Sequence, residues 1–153
     1  MTMKASEVIA KLRGKTLVTA ESLTGGGIGA VLTTVPGASA IYKGGVISYT
    51  DEVKREVLGV PNAYLKTFGA VSAPVAEAMA VGARDLLHGD IAVAVTGLAG
   101  PGGDEFGHEV GTVFIGYADV KGVTVEEHHF TGDREAVRKQ TINAALALIL
   151  NQN

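Results

Sequence analysis

The chain has 153 residues, a formal net charge of -3, and 46% hydrophobic against 19% charged residues, a composition that indicates one globular domain and excludes disordered chains and coiled coils. Because the sequence has no cysteine, a disulfide framework, a thiolate nucleophile and a cysteine-ligated zinc site are excluded. The negative net charge provides no general attraction to nucleic acid or to an anionic membrane.

The sequence has no segment typical of membrane insertion or export. No apolar run reaches the roughly 18 residues that a membrane-spanning helix needs. The first 13 residues carry charges at Lys4, Glu7, Lys11 and Arg13, where a signal peptide would have an apolar core. We therefore expect a soluble cytoplasmic protein that forms a single domain over residues 1–153, with no membrane and no nucleic acid among its partners.

Helices and short strands alternate in the predicted secondary structure. Apolar residues three or four positions apart indicate helices with one buried face, and short β-branched runs indicate strands. In the first half of the chain these patterns predict a helix over residues 6–13, a strand over 16–20, a helix over 28–32, a strand over 44–49, and a helix over 51–58 with Thr50 or Asp51 as its N-cap.

The second half of the chain continues the alternation and ends in a hairpin and a long helix. Residues 91–95 are continuously apolar, which is typical of a strand covered on both faces. The pattern predicts an α/β fold, a three-layer α/β/α sandwich on a mixed sheet of about five strands. Its predicted elements are a helix over residues 74–87 with Ser72 as N-cap, a strand over 91–95, hairpin strands over 112–118 and 123–130, and a helix from Asp133 to Leu150.

Glycine accounts for 21 of the 153 residues, about twice the usual ~7%. Two clusters, residues 25–29 and 97–103, contain many of them and show no repeat period. We interpret both clusters as tight loops in which the backbone comes close to another group.

The first glycine cluster follows the segment T-A-E-S-L-T, which places Ser22 where a predicted strand meets a helix. In open α/β sheets ligands bind at the carboxyl ends of strands, and the free amides of a helix N-terminus attract anions. Alternatively, Ser22 or Thr24 only caps the helix. Residues 25–30 also fit the weak dinucleotide pattern G-x-G-x-x-A, but the nearest acidic residues, Asp51 and Glu52, follow the next strand instead of ending it.

Tyr49 and Lys54 lie where the second predicted strand gives way to a helix, so both can face the same sheet edge as Ser22. Without cysteine, and without a histidine near Ser22 in the sequence, a serine nucleophile would use lysine or tyrosine as its proton acceptor. A lysine can do so only if its pKa falls below the usual value of about 10.4. The alternative is that Lys54 is a solvated surface charge and Tyr49 a core or rim residue.

Two further segments are candidates for binding an anion. Residues 96–103, after the buried strand, can turn their amides inward as an oxyanion hole, or can form only a turn between strands. At the start of the last helix, Asp133 is a predicted N-cap, and Arg134 and Arg138 lie four residues apart, where they reach a phosphate or remain solvated. The four histidines do not form a pattern typical of a metal site, and we predict no metal.

Six motifs in this order, T-A-E-S-L-T-G-G, G-G-V-I-S-Y-T-D-E-V-K, G-A-V-S, T-G-L-A-G-P-G-G, V-G-T-V and G-D-R-E-A-V-R, resemble the CinA C-terminal-domain family over essentially the whole chain. That family includes stand-alone nicotinamide-nucleotide amidases. The resemblance implies an α/β/α fold, a small-molecule nucleotide substrate, and hydrolysis of nicotinamide mononucleotide to nicotinic acid mononucleotide and ammonia, with no cofactor. It also implies a homodimer, which the many apolar residues of the last helix favour.

By position, the resemblance implies that Ser22 is the nucleophile and that Lys54, helped by Tyr49, removes its proton, while loop amides stabilise the oxyanion. Leu23, Leu98 and Glu109 depart from residues common in relatives, which carry Cys, Ile and Pro there, and none of these departures removes a catalytic group. The predicted phosphate ligands are the backbone of Thr24, Gly25 and Gly26 or of Gly100, Gly102 and Gly103, with the side chain of Arg138.

Two other functions compete with the amidase. A non-catalytic nucleotide- or phosphate-binding module could keep the same pocket, although binding phosphate does not require Ser22, Tyr49 and Lys54 together. An interaction domain linked to competence or DNA damage, as the family name suggests, gains little from a net charge of -3.

Overall fold

The computed structural model describes residues 2–153, so Met1, the first residue of the predicted domain, lies outside the described residues. The described elements are the helices α1 (Thr2–Lys11), α2 (Gly27–Leu32), α3 (Asp51–Glu56), α4 (Asn62–Phe68), α5 (Ala73–Leu87) and α6 (Arg134–Leu150), a 3-10 turn at Ala38–Ala40, and the strands β1 (Leu17–Glu21), β2 (Tyr42–Ile47), β3 (Ile91–Gly97), β4 (Thr112–Asp119) and β5 (Gly122–His129).

The five strands form one mixed sheet in the order β2-β1-β3-β4-β5. β1 runs parallel to both of its neighbours, and Glu21 at its end pairs with Ile47 of β2 and Val95 of β3. β4 and β5 are antiparallel and form the predicted hairpin. The carboxyl ends of three parallel strands therefore meet at one edge of the sheet, the usual position of ligand sites in such folds.

Helices cover both faces of the sheet. Because successive side chains of a strand point to opposite faces, each strand contributes residues to two separate cores. Leu17 and Val93 face a core built with α1, α2 and α6, whereas Val18 and Ala92 face a core built with α4 and α5. The continuously apolar strand at residues 91–95 is buried on both faces, as predicted. The three-layer α/β/α architecture is thus confirmed.

Most predicted boundaries are right to within a few residues, and two N-caps are confirmed. Thr50 Oγ1 accepts a hydrogen bond from Val53 N, and Asp133 Oδ1 accepts one from Ala136 N, at the starts of α3 and α6. Ser72 occupies the N-cap position of α5, but its hydroxyl donates to Gly69 O instead of capping the helix.

The main differences from the prediction are two boundaries and one unpredicted helix. α1 begins at Thr2 instead of residue 6, and β2 spans Tyr42–Ile47 instead of residues 44–49. No helix is predicted at α4, although Tyr64, Leu65 and Phe68 have helical spacing; of these three residues only Leu65 is buried. Within residues 2–153, no helix is long and apolar enough to span a membrane.

Candidate active site

A pocket of about 580 Å³ opens at the sheet edge where β1 and β3 end, within the size range of small-molecule sites. Its walls come from the segment after β1, the start of α3, the loop between α4 and α5, the loop after β3, and the start of α6. Its lining includes all three predicted catalytic residues, Ser22, Tyr49 and Lys54. The parallel strand ends thus bring together residues that lie far apart in the sequence.

Ser22 and Lys54 form a buried contact at this pocket. Ser22 follows β1 directly, and its backbone N donates to Val95 O at the end of β3. Lys54 lies on α3, and its Nζ is 3.0 Å from Ser22 Oγ. The exposed fractions of the two residues are 7% for Ser22 and 2% for Lys54. The prediction that these residues face the same sheet edge is confirmed, and the alternative of a solvated Lys54 is wrong.

Burial makes Lys54 a weaker base than an ordinary lysine and leaves more of it neutral. Desolvation lowers the pKa of Lys54 to about 8, while the charge of Asp51 acts in the opposite direction. Nζ also donates to Ser48 O at 2.8 Å and to Tyr49 O at 3.4 Å. These carbonyls can only accept hydrogen bonds. When Lys54 is neutral, its two N–H groups can remain on the carbonyls while its lone pair faces the Ser22 hydroxyl.

Glu21 holds the serine in place from the preceding position. Its carboxylate is buried, and it accepts hydrogen bonds from the Thr24 hydroxyl at 2.6 Å, Ile28 N at 2.8 Å and Gly29 N at 3.0 Å. Its carbonyl accepts from Ser48 N, and Ser48 in turn binds Lys54 Nζ through its own carbonyl. Glu21 was not among the predicted site residues, although an acidic residue shortly before a helix N-terminus is a recognisable stabilising signal.

The structure does not bring Thr24, Gly25 and Gly26 into the pocket. Thr24 is fully buried with its hydroxyl on Glu21, and the same carboxylate binds early α2 amides that would otherwise attract an anion. The Glu21 carboxylate thus occupies the amides of Ile28 and Gly29, and the predicted ligands at residues 24–26 lie outside the pocket lining.

Arg138 also lies outside the pocket lining. Its Nε donates to Leu23 O at 3.0 Å and its Nη2 to Thr24 O at 3.2 Å. Arg138 therefore holds the loop after Ser22 through backbone carbonyls.

The arginine that lines the pocket is Arg134, one turn before Arg138. Its Nη1 donates to Gly100 O at 2.6 Å and its Nη2 to the Tyr49 hydroxyl at 2.7 Å. Tyr49 is 54% exposed, and the part of Tyr49 that contacts Lys54 is its carbonyl. The predicted residues Tyr49 and Gly100 are thus joined at the pocket rim by the exposed Arg134 guanidinium.

The second glycine cluster contributes one wall of the pocket. Gly100 and Gly102 belong to the lining, as predicted, whereas Gly103 lies outside it, close to the carbonyl of His108. Asp104 organises the rest of this loop, because it accepts from Phe106 N and His108 N and bonds to the His108 ring. Within residues 2–153, no group of three or more His, Asp or Glu side chains is arranged to hold a metal ion.

The sequence is similar to one protein family and to proteins of several bacteria. The family model for the CinA C-terminal domain matches residues 2–152. A CinA-like protein of Geobacter metallireducens is 48% identical over 135 residues, covering 88% of this chain and 32% of the relative. The chain thus spans about a third of the length of such relatives. The nicotinamide-nucleotide amidohydrolase PncC of Pseudomonas putida is 47% identical over 130 residues, covering 85% of this chain and 81% of the relative.

Solved structures agree with the fold. The crystal structure of a CinA superfamily protein from Klebsiella pneumoniae has a TM-score of 0.94 and 37% sequence identity, and covers 97% of this chain and 94% of that chain. The competence/damage inducible protein CihA from Agrobacterium tumefaciens also has a TM-score of 0.94, with 38% identity, and covers 99% of this chain and 95% of that chain.

Proposed function

We propose that this protein, which belongs to the CinA C-terminal domain family, is an amidase that hydrolyses the carboxamide of nicotinamide mononucleotide to nicotinic acid mononucleotide and ammonia. The observation that carries the proposal is the buried 3.0 Å contact between Lys54 Nζ and Ser22 Oγ at the pocket. The name of the Pseudomonas putida relative, of which 81% is matched, supports the choice of substrate.

The first half of the proposed reaction transfers the acyl group to Ser22. Neutral Lys54 accepts the hydroxyl proton as Ser22 Oγ attacks the carboxamide carbon. The carbonyl oxygen becomes an oxyanion, which backbone amides of the glycine loop stabilise. Lys54 then gives the proton to the leaving nitrogen, the C–N bond breaks, and ammonia departs, leaving an ester on Ser22.

The second half returns the enzyme to its starting state. Lys54 accepts a proton from a water molecule as the water oxygen attacks the ester carbon. The tetrahedral intermediate collapses, the bond to Ser22 Oγ breaks, and Oγ takes the proton back from Lys54. The product is the carboxylic acid, which ionises on release, so the complete cycle consumes one water molecule and releases one ammonia.

Arg134 is the proposed partner of the substrate phosphate. Its guanidinium lies at the rim between Gly100 O and the Tyr49 hydroxyl, and a guanidinium binds phosphate oxygens through parallel N–H groups. Tyr49 contributes in two ways: its carbonyl orients Lys54 and its hydroxyl orients Arg134. In this proposal Arg134 replaces Arg138, because Arg134 lines the pocket and Arg138 does not.

A homodimer remains a prediction from the family resemblance alone. The apolar residues of α6, including Val137, Ala145, Leu146 and Ile149, are buried inside the domain core, so they do not provide a dimer surface. Light scattering on the purified protein tests the oligomeric state.

The proposed reaction is tested by incubating the purified protein with nicotinamide mononucleotide, in the presence of a chelator, and measuring ammonia. We expect ammonia from the native protein and none from Ser22→Ala. Lys139→Ala, which changes an exposed lysine paired with Glu135 on α6, should keep full activity. A folded native protein that binds the nucleotide without releasing ammonia would overturn the amidase and indicate a binding module instead.

A further inference from the structure

Two walls of the pocket carry opposite charge. The first, which we call the cationic wall, consists of Arg134 with its partners Tyr49 and Gly100. The second, which we call the acidic wall, consists of Asp104, Glu105 and Phe106 on the loop after β3. The phosphate proposed above accounts for the cationic wall, but a purely anionic ligand gives no reason for the exposed Glu105 carboxylate in the same pocket.

The ring of Phe106 is held at the acidic wall by its surroundings. It packs on Gly69, where a Cβ atom would lie only 2.5 Å from a ring carbon, so the ring rests directly on the backbone. Its own backbone N donates to Asp104 Oδ1 at 3.1 Å. The residue is still 39% exposed and lines the pocket. Part of the Phe106 ring therefore packs on Gly69, while 39% of the residue stays exposed at the pocket.

The two carboxylates of this wall differ in how far they are already satisfied. Asp104 accepts from Phe106 N and His108 N through Oδ1 and contacts the His108 ring through Oδ2 at 2.7 Å. Glu105 is exposed, lines the pocket, and forms no ion pair within residues 2–153. Asp104 therefore shapes the loop, and Glu105 keeps a charge available for a cationic ligand.

We propose that Phe106 and Glu105 select a positively charged nicotinamide ring over its neutral, reduced counterpart. This inference rests on the proposed function, which brings such a ring into the pocket. The ring nitrogen of the oxidised nucleotide is bonded to ribose and carries a positive charge, which reduction to the dihydropyridine removes. An aromatic face and a carboxylate both attract a cation, and neither attracts the neutral ring in this way. The pocket thereby matches a ligand with a cationic ring and an anionic phosphate.

Binding is the appropriate measurement, because the charged ring also makes the carboxamide intrinsically more reactive. We would titrate nicotinamide mononucleotide and its dihydro form into Ser22→Ala by calorimetry at pH 8. The oxidised nucleotide should bind at least about tenfold more tightly, a difference of about 1.4 kcal/mol.

Variants in the same background identify the residues responsible. Phe106→Leu should lower the preference about three- to tenfold, Phe106→Tyr should retain it, and Glu105→Gln should lower it about twofold. Phe68→Leu and Glu135→Gln are matched controls, because Phe68 is 42% exposed, Glu135 is also exposed, and neither lines the pocket. Both controls should leave the preference unchanged.

Equal affinity for the two nucleotides, or an unchanged preference in Phe106→Leu, would overturn the inference and leave the amidase proposal standing. If neither nucleotide binds and the native protein releases no ammonia, the proposed function fails and this inference fails with it.

Discussion

The two glycine clusters look alike in the sequence but have different roles in the structure. In the first, the backbone around Ser22 is enclosed: Glu21 binds the α2 amides, Arg138 binds the loop carbonyls, and Gly29 lies against the Tyr42 ring. In the second, Gly102 has open space around it and lines the pocket. The backbone groups of a glycine-rich loop after a strand are therefore available to a ligand only if side chains of the protein do not already bind them.

The largest loss of activity is expected from a change at Lys54, which contacts Ser22 beside the first glycine cluster. Lys54→Met removes the proposed proton acceptor while keeping an unbranched side chain of similar length. We expect kcat to fall about 10²- to 10⁴-fold, the usual contribution of a general base, as measured by ammonia release. Retention of more than half of the native activity by a folded variant would contradict the assignment.

The same variant gives a test that does not involve activity. The pKa of Lys54 falls from 10.5 to about 8 on folding, so between these values the unfolded chain binds one more proton than the folded chain. The free energy of unfolding should therefore rise with pH across this window in the native protein. Denaturant titrations should show this rise, and they should show it reduced in Lys54→Met.

Glu21→Gln should be the most destabilising change within the enclosed cluster. It removes a buried charge that accepts three hydrogen bonds, and we expect the free energy of unfolding to fall by about 2–3 kcal/mol. Asp104→Asn in the open cluster is the matched change, because this carboxylate also binds two backbone amides but is only partly buried. Urea titrations that rank Asp104→Asn as the more destabilising of the two would contradict the greater structural role assigned to Glu21.

One glycine from each cluster can be replaced to measure how closely its surroundings pack. A Cβ at Gly29 would lie 2.6 Å from the Tyr42 hydroxyl, which is held by Thr19, whereas a Cβ at Gly102 would meet nothing within 4 Å. Gly29→Ala should cost about 2 kcal/mol of stability, and Gly102→Ala less than about 0.5 kcal/mol. Thermal unfolding of both variants measures this difference, and equal melting temperatures would contradict it.

The two arginines of α6 should separate binding from stability. Arg134→Ala should raise KM for nicotinamide mononucleotide about tenfold through loss of a charged phosphate contact. Because Arg134 is exposed whereas Arg138 is half-buried, Arg134→Ala should lower the melting temperature less than Arg138→Ala does. Arg138→Ala should lower the melting temperature, because Leu23 O and Thr24 O lose their donor, with a smaller change in KM. Steady-state kinetics and thermal melts that show the reverse assignment would restore Arg138 as the phosphate ligand.

Much of this arrangement is predictable from the sequence, and the reasons for the exceptions are physical. The meeting of Ser22 and Lys54 follows from two strand ends at one edge of a parallel sheet. The sequence does not indicate whether Arg134 or Arg138 lines the pocket, because both lie on one face of α6. The position of the loop after Ser22 decides this, since its carbonyls bind Arg138. The position of Thr24, Gly25 and Gly26 outside the pocket, with the Thr24 hydroxyl bound to Glu21, depends on where the Glu21 side chain turns, which periodicity does not reveal.

If neutral Lys54 activates Ser22, the pH dependence of kcat/KM for nicotinamide mononucleotide should follow the titration of Lys54. In the native protein kcat/KM should rise about tenfold per pH unit below the Lys54 pKa and level off above about 8. In Asp51→Asn the midpoint should move to lower pH, because the Asp51 charge raises the pKa of Lys54. A profile that is flat from about pH 6 to 9.5, or identical in the two proteins, would contradict the claim.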